Sequence, residues 1–245
     1  MSPSEKVKFI SNWIKSYVDN MPSKAEALVI GISGGIDSSV SSTLSAMTGS
    51  KTIVLSMPIK QKENQHDLSL KHQNWLVEKF KNVEAHTLNL DQLFNSFSST
   101  LNKFNNEHGF ANSRARLRMA TLYQVAAANK GIVVGTGNKV EDFGVGFYTK
   151  YGDGGVDISP IADCNKTEVW ELGKELGILK EIIDAPPTDG LWDDGRTDEG
   201  QLGFSYKDLE DAMKNPDSPH KTEYEKIRKQ NLHKMEPIPV CKIPS

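Results

Sequence analysis

Apolar residues cluster along this chain in short unbroken runs, separated by longer stretches in which they recur every three to four positions. The runs ALVIGI (27–32), TIVLSM (52–57) and GIVVGT (131–136) are each followed by Gly, Pro or polar turn residues and predict buried strands, with a weaker strand over 83–88. Helical periodicity fills the gaps at about 38–48, 63–80, 91–104 and 112–129. At the N-terminus, Ser2 and Glu5 make an S-x-x-E capping box with Pro3 at the first helical position, and Val7, Ile10, Ile14 and Val18 share one face. A helix therefore opens the chain. Continuous apolar strands alternating with helices predict a parallel sheet covered on both faces, so the expected class is α/β with right-handed crossovers. After Thr136 the regularity fades. A Gly-rich segment (144–157) comes first, then a helix near 166–176, then an acidic stretch from Pro186 to Gly203. Two helical patterns, at about 205–214 and 219–232, follow it.

Composition narrows the class. With 245 residues, 37% apolar and 25% charged, the chain is globular, and its length suits one domain over 1–245, with a mobile lid at about 186–203 and a C-terminal helical segment at about 205–235. A net charge of −3 argues against a broad electrostatic grip on DNA or RNA. Cys164 and Cys241 are too few and too scattered for a metal cluster or redox pair, and fit a reducing compartment. No apolar run approaches 18 residues, and the N-terminus has no apolar core followed by small residues. A soluble, cytoplasmic protein with neither nucleic acid nor membrane as partner is expected.

The first strand ends in Ser33-Gly34-Gly35-Ile36-Asp37-Ser38-Ser39. In an open α/β sheet ligands collect at the carboxyl ends of strands, where helix N-termini offer unpaired amides and positive dipole ends. Two adjacent glycines allow a tight turn that brings amides to an anion, and the serines add hydroxyl donors, so this is a phosphate cradle on physical grounds. It is not a Walker loop, because no lysine occurs between Lys24 and Lys51. The dinucleotide fingerprint fails here too, and its nearest relative, Gly135-Thr136-Gly137-Asn138-Lys139-Val140, ends in Val where Gly or Ala is required. Gly31-Ile32-Ser33-Gly34-Gly35 also satisfies G-x-S-x-G, which would make Ser33 a hydrolase nucleophile, but no convincing strand precedes residue 27 to supply the elbow's oxyanion hole.

SGGIDSS resembles the S-G-G-x-D-S loop of the ATP pyrophosphatase, or PP-loop, family, whose members split ATP between the α and β phosphates and adenylate a substrate. Later segments are similar to the successive motifs of NAD synthetases: Asn112-Ser113-Arg114-Ala115-Arg116-Leu117-Arg118-Met119; Gly135 to Glu141; Gly146 to Asp157; Pro187-Thr188 followed by Thr197-Asp198-Glu199; and His233-Lys234. The resemblance spans about 30–235 and implies a Rossmann-like sheet. The length leaves no room for the amidase domain of the glutamine-dependent branch, so the ammonia-dependent form is expected. In that form ATP and ammonia convert nicotinic acid adenine dinucleotide (deamido-NAD) to NAD, with release of AMP and pyrophosphate.

A carboxylate is a poor acyl donor because its leaving group would be oxide, which is why ATP is needed: an acyl adenylate carries a good one. The resemblance places Gly31, Ser33, Gly34, Gly35, Asp37, Ser38, Arg116, Thr136, Lys166 and Thr188 at ATP, with Asp37, Lys166 and Thr188 in the chemistry. Asp37 and Glu141 would hold Mg²⁺, which usually takes one or two carboxylates plus phosphate oxygens, and Asp142 is an alternative for the second. Asn112, Phe147, Lys150, Asp153, Asp157, His233 and Lys234 are implied around deamido-NAD. Asn112 and Arg116 lie one turn apart on one helix face, while Arg114 and Arg118 fit a solvated helix edge as well. The resemblance further implies a homodimer whose site borrows residues from both subunits. One departure stands out at 57–67, where the family's P-x-G-x-Q-x-D-x-x-D pattern, implied at the ATP base, keeps only Gln65 and Asp67. A tRNA-thiolating PP-loop enzyme would want catalytic cysteines or a basic face. A non-catalytic adenine-nucleotide sensor would keep the loop and lose the chemistry.

Overall fold

The computed structural model describes residues 1–60, 63–188 and 197–244. The Ser2–Glu5 capping box is formed at the start of α1 (Pro3–Asp19), and the predicted apolar face of that helix is buried. The chain then alternates through β1 (Ala27–Gly31), α2 (Ile36–Met47), β2 (Lys51–Ser56), α3 (Glu63–Lys79), β3 (Val83–Thr87), α4 (Asp91–Thr100), α5 (Glu107–Ala128) and β4 (Gly131–Val133). The strands pair in parallel in the order β3-β2-β1-β4. Successive strand residues face opposite sides of a sheet. Leu28, Ile30 and Ile132 accordingly pack with α1, α2 and α6 (Lys166–Leu176), while Val29, Ile53, Leu55 and Val133 pack with α4 and α5. This is the Rossmann-like α/β sheet expected. From β1 the chain crosses one way to β2, and β4 lies on β1's other side, so the switch point falls at the carboxyl ends of β1 and β4.

Several boundaries differ from the periodicity. The pattern over 91–104 is split: α4 stops at Thr100 and a short 3-10 turn covers Asn102–Phe104. Helix α5 begins at Glu107, five residues before the apolar period, because the Asn106 side chain caps the Gly109 amide at 2.7 Å. Strand β4 ends at Val133, after which Val134 makes a single parallel bridge to Ile158. Lys139–Val145 forms a π-helix that no period predicted. Helices α7 (Lys180–Ile183), α8 (Asp198–Leu202), α9 (Tyr206–Lys214) and α10 (Lys221–Met235) complete the chain, and α9 and α10 share a third core cluster with Val140 and Val145 of the π-helix. Among the described residues, no helix is long and apolar enough to cross a membrane.

Helix α2 is rich in buried hydroxyls, and most close onto the helix itself. Ser39 Oγ donates to the Gly35 carbonyl (2.9 Å), Thr43 to Ser39 (2.7 Å) and Ser45 to Ser41 (2.8 Å). Ser42 instead also meets His72 Nε2 of α3 at 3.0 Å, and the fully buried imidazole stacks on Trp75. Burial pushes the His72 pKa down to about 4 from 6.5. The unfolded chain therefore takes up a proton below pH 6.5 that the native protein refuses until about pH 4. The stability that depends on a neutral His72 is complete above pH 6.5 and is lost as pH falls, by up to about 3 kcal/mol. Urea unfolding at pH 7.5, 5.5 and 4 measures it, and His72→Gln should flatten that acid limb. A variant as acid-sensitive as the parent protein would refute the assignment.

Candidate active site

The turn between β1 and α2 is built from its own side chains. Gly34 sits at φ 89°, in the left-handed region that glycine enters without a Cβ penalty. Ser33 Oγ lies 3.0 Å from Ser38 Oγ and accepts from the Gly35 amide at 3.2 Å, while Ser38 Oγ also reaches the Gly35 carbonyl at 3.1 Å. No histidine or carboxylate is bonded to Ser33 among the described residues, so the nucleophile-elbow reading finds no activating base. Gly35 is the N-cap of α2, and Asp37 lies in its first turn.

Across the switch point, Asn138 caps the π-helix by accepting from the Val140 and Glu141 amides, both at 3.1 Å. Its amide Nδ2 donates to Asp37 Oδ1 at 3.1 Å, so one fully buried asparagine joins the β1 and β4 turns. Lys166, the first residue of α6, is 2% exposed, and its Nζ lies 2.6 Å from Asp37 Oδ2 and 2.9 Å from Glu141 Oε1. Burial alone would lower the Lys166 pKa, but the two carboxylates outweigh it and hold the ammonium charged. The carboxylates separate. Burial and the nearby Glu141 raise Asp37 despite Lys166, whereas at Glu141 burial is overcome by Lys166 and by the Tyr206 hydroxyl, which hold it low. Asp142 packs on Gly137, where a Cβ would meet its carboxylate, and burial together with Glu141, Asp153 and Asp37 pushes it up to about 8.

These groups open onto a cavity of roughly 440 Å³ lined by the β1 turn, Thr136, Gly137, Glu141, Phe147, Asp153, Lys166, Pro186, Pro187 and Thr188. Its apolar wall comes from Met57, Leu68, Met119 and Leu122, beside Arg118. Among the described residues, no three His, Cys, Asp or Glu side chains make an all-protein metal cage. With both carboxylates ionised, two of them against one ammonium leave the cavity floor net negative. A polyphosphate would be repelled there unless a hard divalent cation came with it, and oxygen donors from two elements suit Mg²⁺.

The sequence profile of the family described as NAD synthase matches residues 6–243. The chain is 37% identical over 212 residues to an NH₃-dependent NAD⁺ synthetase of Carboxydothermus hydrogenoformans, covering 84% of this chain and 83% of that protein. It is 36% identical over 249 residues to one from Alkaliphilus oremlandii, covering 96% and 95%. This chain belongs to the NAD synthase family. Among solved structures, an NMN synthetase from Francisella tularensis superposes with a TM-score of 0.91 at 33% identity, covering 99% of this chain and 100% of that one.

The residues that the family motifs singled out fall into two groups in the structure. Gly31, Ser33, Gly34, Gly35, Asp37, Ser38, Thr136, Glu141, Lys166 and Thr188 all line the cavity, as do Phe147 and Asp153. The others do not. Arg116 Nε donates to the Lys150 carbonyl at 3.2 Å, and Arg118 stands on the cavity wall, its Nε donating to the Met57 carbonyl at 3.0 Å. Asn112 accepts from Thr149 Oγ1 at 2.6 Å, and Lys150 Nζ reaches the exposed His233's carbonyl at 3.5 Å. Lys234 Nζ donates to the Tyr148 carbonyl, and the Tyr148 hydroxyl donates back to the Lys234 carbonyl. These contacts form a continuous rim from α5 through 146–157 to the end of α10. Asp157 is tied into the end of β4, accepting from the Val133 amide (2.7 Å) and the Tyr123 hydroxyl (3.0 Å). Gly146, at φ 67°, lets α10 approach closely, since a Cβ there would lie 2.7 Å from Asn231 Cβ.

Residues 189–196 of the proposed lid at 186–203 lie outside the described residues. At its margins, Pro187 O accepts from the Asp198 amide at 3.0 Å, and α8 occupies the far side. The side chain of Gln65, one of the two echoes near an ATP base, also lies outside the described residues. The sequence reading held Asn138 and Asp198 only as motif positions without a role, and it missed Tyr206. An Asn just before a helix is an N-cap signal that could have found Asn138. Nothing in the pattern around Tyr206 points to a carboxylate 65 positions earlier.

Proposed function

We propose that this chain is an ammonia-dependent NAD synthetase that acts in the cytoplasm, amidating deamido-NAD through an acyl adenylate and releasing AMP and pyrophosphate. The observation that carries the reading is Lys166, a buried ammonium held between Asp37 at the end of β1 and Glu141 after β4. It supplies, from outside the turn, the cation that the lysine-free SGGIDSS loop lacks. The turn's amides, Thr136 and Thr188 surround the place where phosphates would lie, and Lys166 would stabilise the leaving pyrophosphate. A nicotinate oxygen would form a bond to the α-phosphorus as the bond to the bridging oxygen of pyrophosphate breaks. Ammonia then forms the C–N bond, AMP leaves, and the nitrogen loses a proton. Asp37 and Glu141 would hold Mg²⁺, which when bound neutralises phosphate charge. Phe147 offers a stacking face and Asp153 a hydroxyl or cation partner for the nicotinate ribose. The rim of Asn112, Lys150, His233 and Lys234 would meet the rest of the dinucleotide, completed by a second copy of the chain in a homodimer.

A second reading shares the reaction but shortens the substrate: nicotinate mononucleotide, amidated to NMN. The likeness to the NMN synthetase, with its TM-score of 0.91 over essentially the whole of both chains, favours it. One experiment separates the alternatives. Pyrophosphate release and product formation are followed with ammonium or glutamine as nitrogen donor, and with deamido-NAD or nicotinate mononucleotide as acceptor. The expected result is amidated product with ammonium and not with glutamine. A kcat/KM at least tenfold higher for the mononucleotide selects the second reading, and AMP without either amide refutes both.

A further inference from the structure

We propose that Tyr206 is a positioning residue for Glu141, linking the carboxylate at the cavity floor to helix α8 through a single phenolic hydroxyl. The proposal rests on the reading of Glu141 as a metal-holding residue.

Tyr206 opens α9, where Ser205 and Asp208 make a capping box that sets the start of the helix. Its side chain is 1% exposed. The hydroxyl lies 2.5 Å from Glu141 Oε1 and 3.1 Å from Asp198 Oδ2, and the Tyr206 amide donates to Glu199 Oε1 at 2.9 Å. A phenol has one proton to donate, so the nearer carboxylate, Glu141, receives it and the contact with Asp198 is secondary. Lys166 Nζ and the Tyr206 hydroxyl thus converge on the same oxygen, Oε1, which restricts rotation of the carboxylate. The ring is engaged as well. Its face lies 4.7 Å from Lys166 Nζ, and its centroid is 5.9 Å from that of Trp170 in an edge-to-face arrangement.

Tyr206 therefore touches both charges of the Lys166–Glu141 pair while its hydroxyl and amide engage two consecutive acids, Asp198 and Glu199, at the start of α8. A buried tyrosine serving only to fill the third core cluster would need the ring and not the hydroxyl. Tyr206→Phe removes the hydroxyl and keeps the ring, which makes the two roles separable.

The test uses the full-length protein and Mn²⁺ as a paramagnetic stand-in for Mg²⁺, titrated in the presence of ATP and read by electron paramagnetic resonance. The Mg²⁺ dependence of pyrophosphate release is measured in parallel. Losing a hydrogen bond to a charged group should weaken Mn²⁺ binding, and raise the Mg²⁺ needed for half-maximal rate, by about tenfold. The kcat at saturating Mg²⁺ should fall by less than about threefold, since the metal restores the carboxylate's position once bound. In a Glu141→Gln background, Tyr206→Phe should have no further effect on either metal constant, because the residue acts through that carboxylate. Unchanged Mn²⁺ affinity in Tyr206→Phe overturns the proposal, as does an undiminished effect in the Glu141→Gln background or failure of the parent protein to bind Mn²⁺ with ATP. If Tyr206→Phe does not fold, Tyr206→4-methylphenylalanine, which fills the hydroxyl's volume without a proton to donate, gives the same decision: weaker Mn²⁺ binding supports the link to Glu141 and unchanged binding overturns it. Should the parent protein make neither NAD nor NMN, the proposed function fails while the Mn²⁺ titration still decides the role of Tyr206.

Discussion

Lys166→Met is expected to lower turnover by about 10²–10³-fold and to destabilise the protein by about 3–5 kcal/mol. Methionine preserves most of the volume, so packing against Tyr206 survives and the charge alone is removed. Asp37 and Glu141, little exposed and held by the same ammonium, then face each other without it. Neither has enough water to relieve the repulsion, and one of them takes up a proton. The sign follows from that uptake. The folded-state carboxylate pKa rises above its unfolded value, so the variant's deficit is largest at pH 8 and shrinks as pH falls toward 5. Urea unfolding of both proteins at pH 8 and pH 5, with pyrophosphate release at saturating substrates, measures the two effects. Equal stability at both pH values together with near-normal turnover would remove Lys166 from the centre of the site.

Asp37→Ala should lose turnover on a similar scale, about 10²–10³-fold, with a far smaller effect on stability. Asp37 is the carboxylate that burial and Glu141 push toward the neutral form, and in its absence Lys166 keeps Glu141 as its partner. The contrast between the two variants separates a structural ion pair from a reactive one. It also separates the proposed ligase from an adenine-nucleotide sensor. A ligase loses product formation, whereas a sensor shows weaker ATP binding by calorimetry and has no turnover to lose. Retention of more than a tenth of the parent turnover would argue that the phosphates lie elsewhere.

The sheet was readable because parallel strands buried on both faces appear as continuous apolar runs. ALVIGI and GIVVGT contain β1 and β4, and TIVLSM covers all of β2 but its first residue, Lys51. The phosphate turn was readable for a similar local reason: consecutive glycines and flanking hydroxyls act within seven positions. The π-helix over Lys139–Val145 was not, because it is held from outside its own sequence, by Asn138 at its start and by α10, whose Arg228 bonds the Phe143 and Gly144 carbonyls. The exchange of Arg116 for Arg118 on the cavity wall has the same origin. Two residues apart on α5 they lie on different faces, and their partners are remote in sequence: Lys150 for Arg116 and Met57, sixty-one positions earlier, for Arg118.

By itself, the order of residues determined the α/β class, the cradle at the end of the first strand and the membership of the family's motifs, all of which depend on short-range pattern. Only the tertiary structure decided which motif residues meet. It brought Lys166 between Asp37 and Glu141, placed Tyr206 on the same carboxylate, and set Asn112, Lys150, His233 and Lys234 on a rim beside the cavity. The physical reason is that a buried charge is tolerated only with its partners in contact. Those partners come from strand ends and helix starts far apart in the chain, which sequence spacing does not encode.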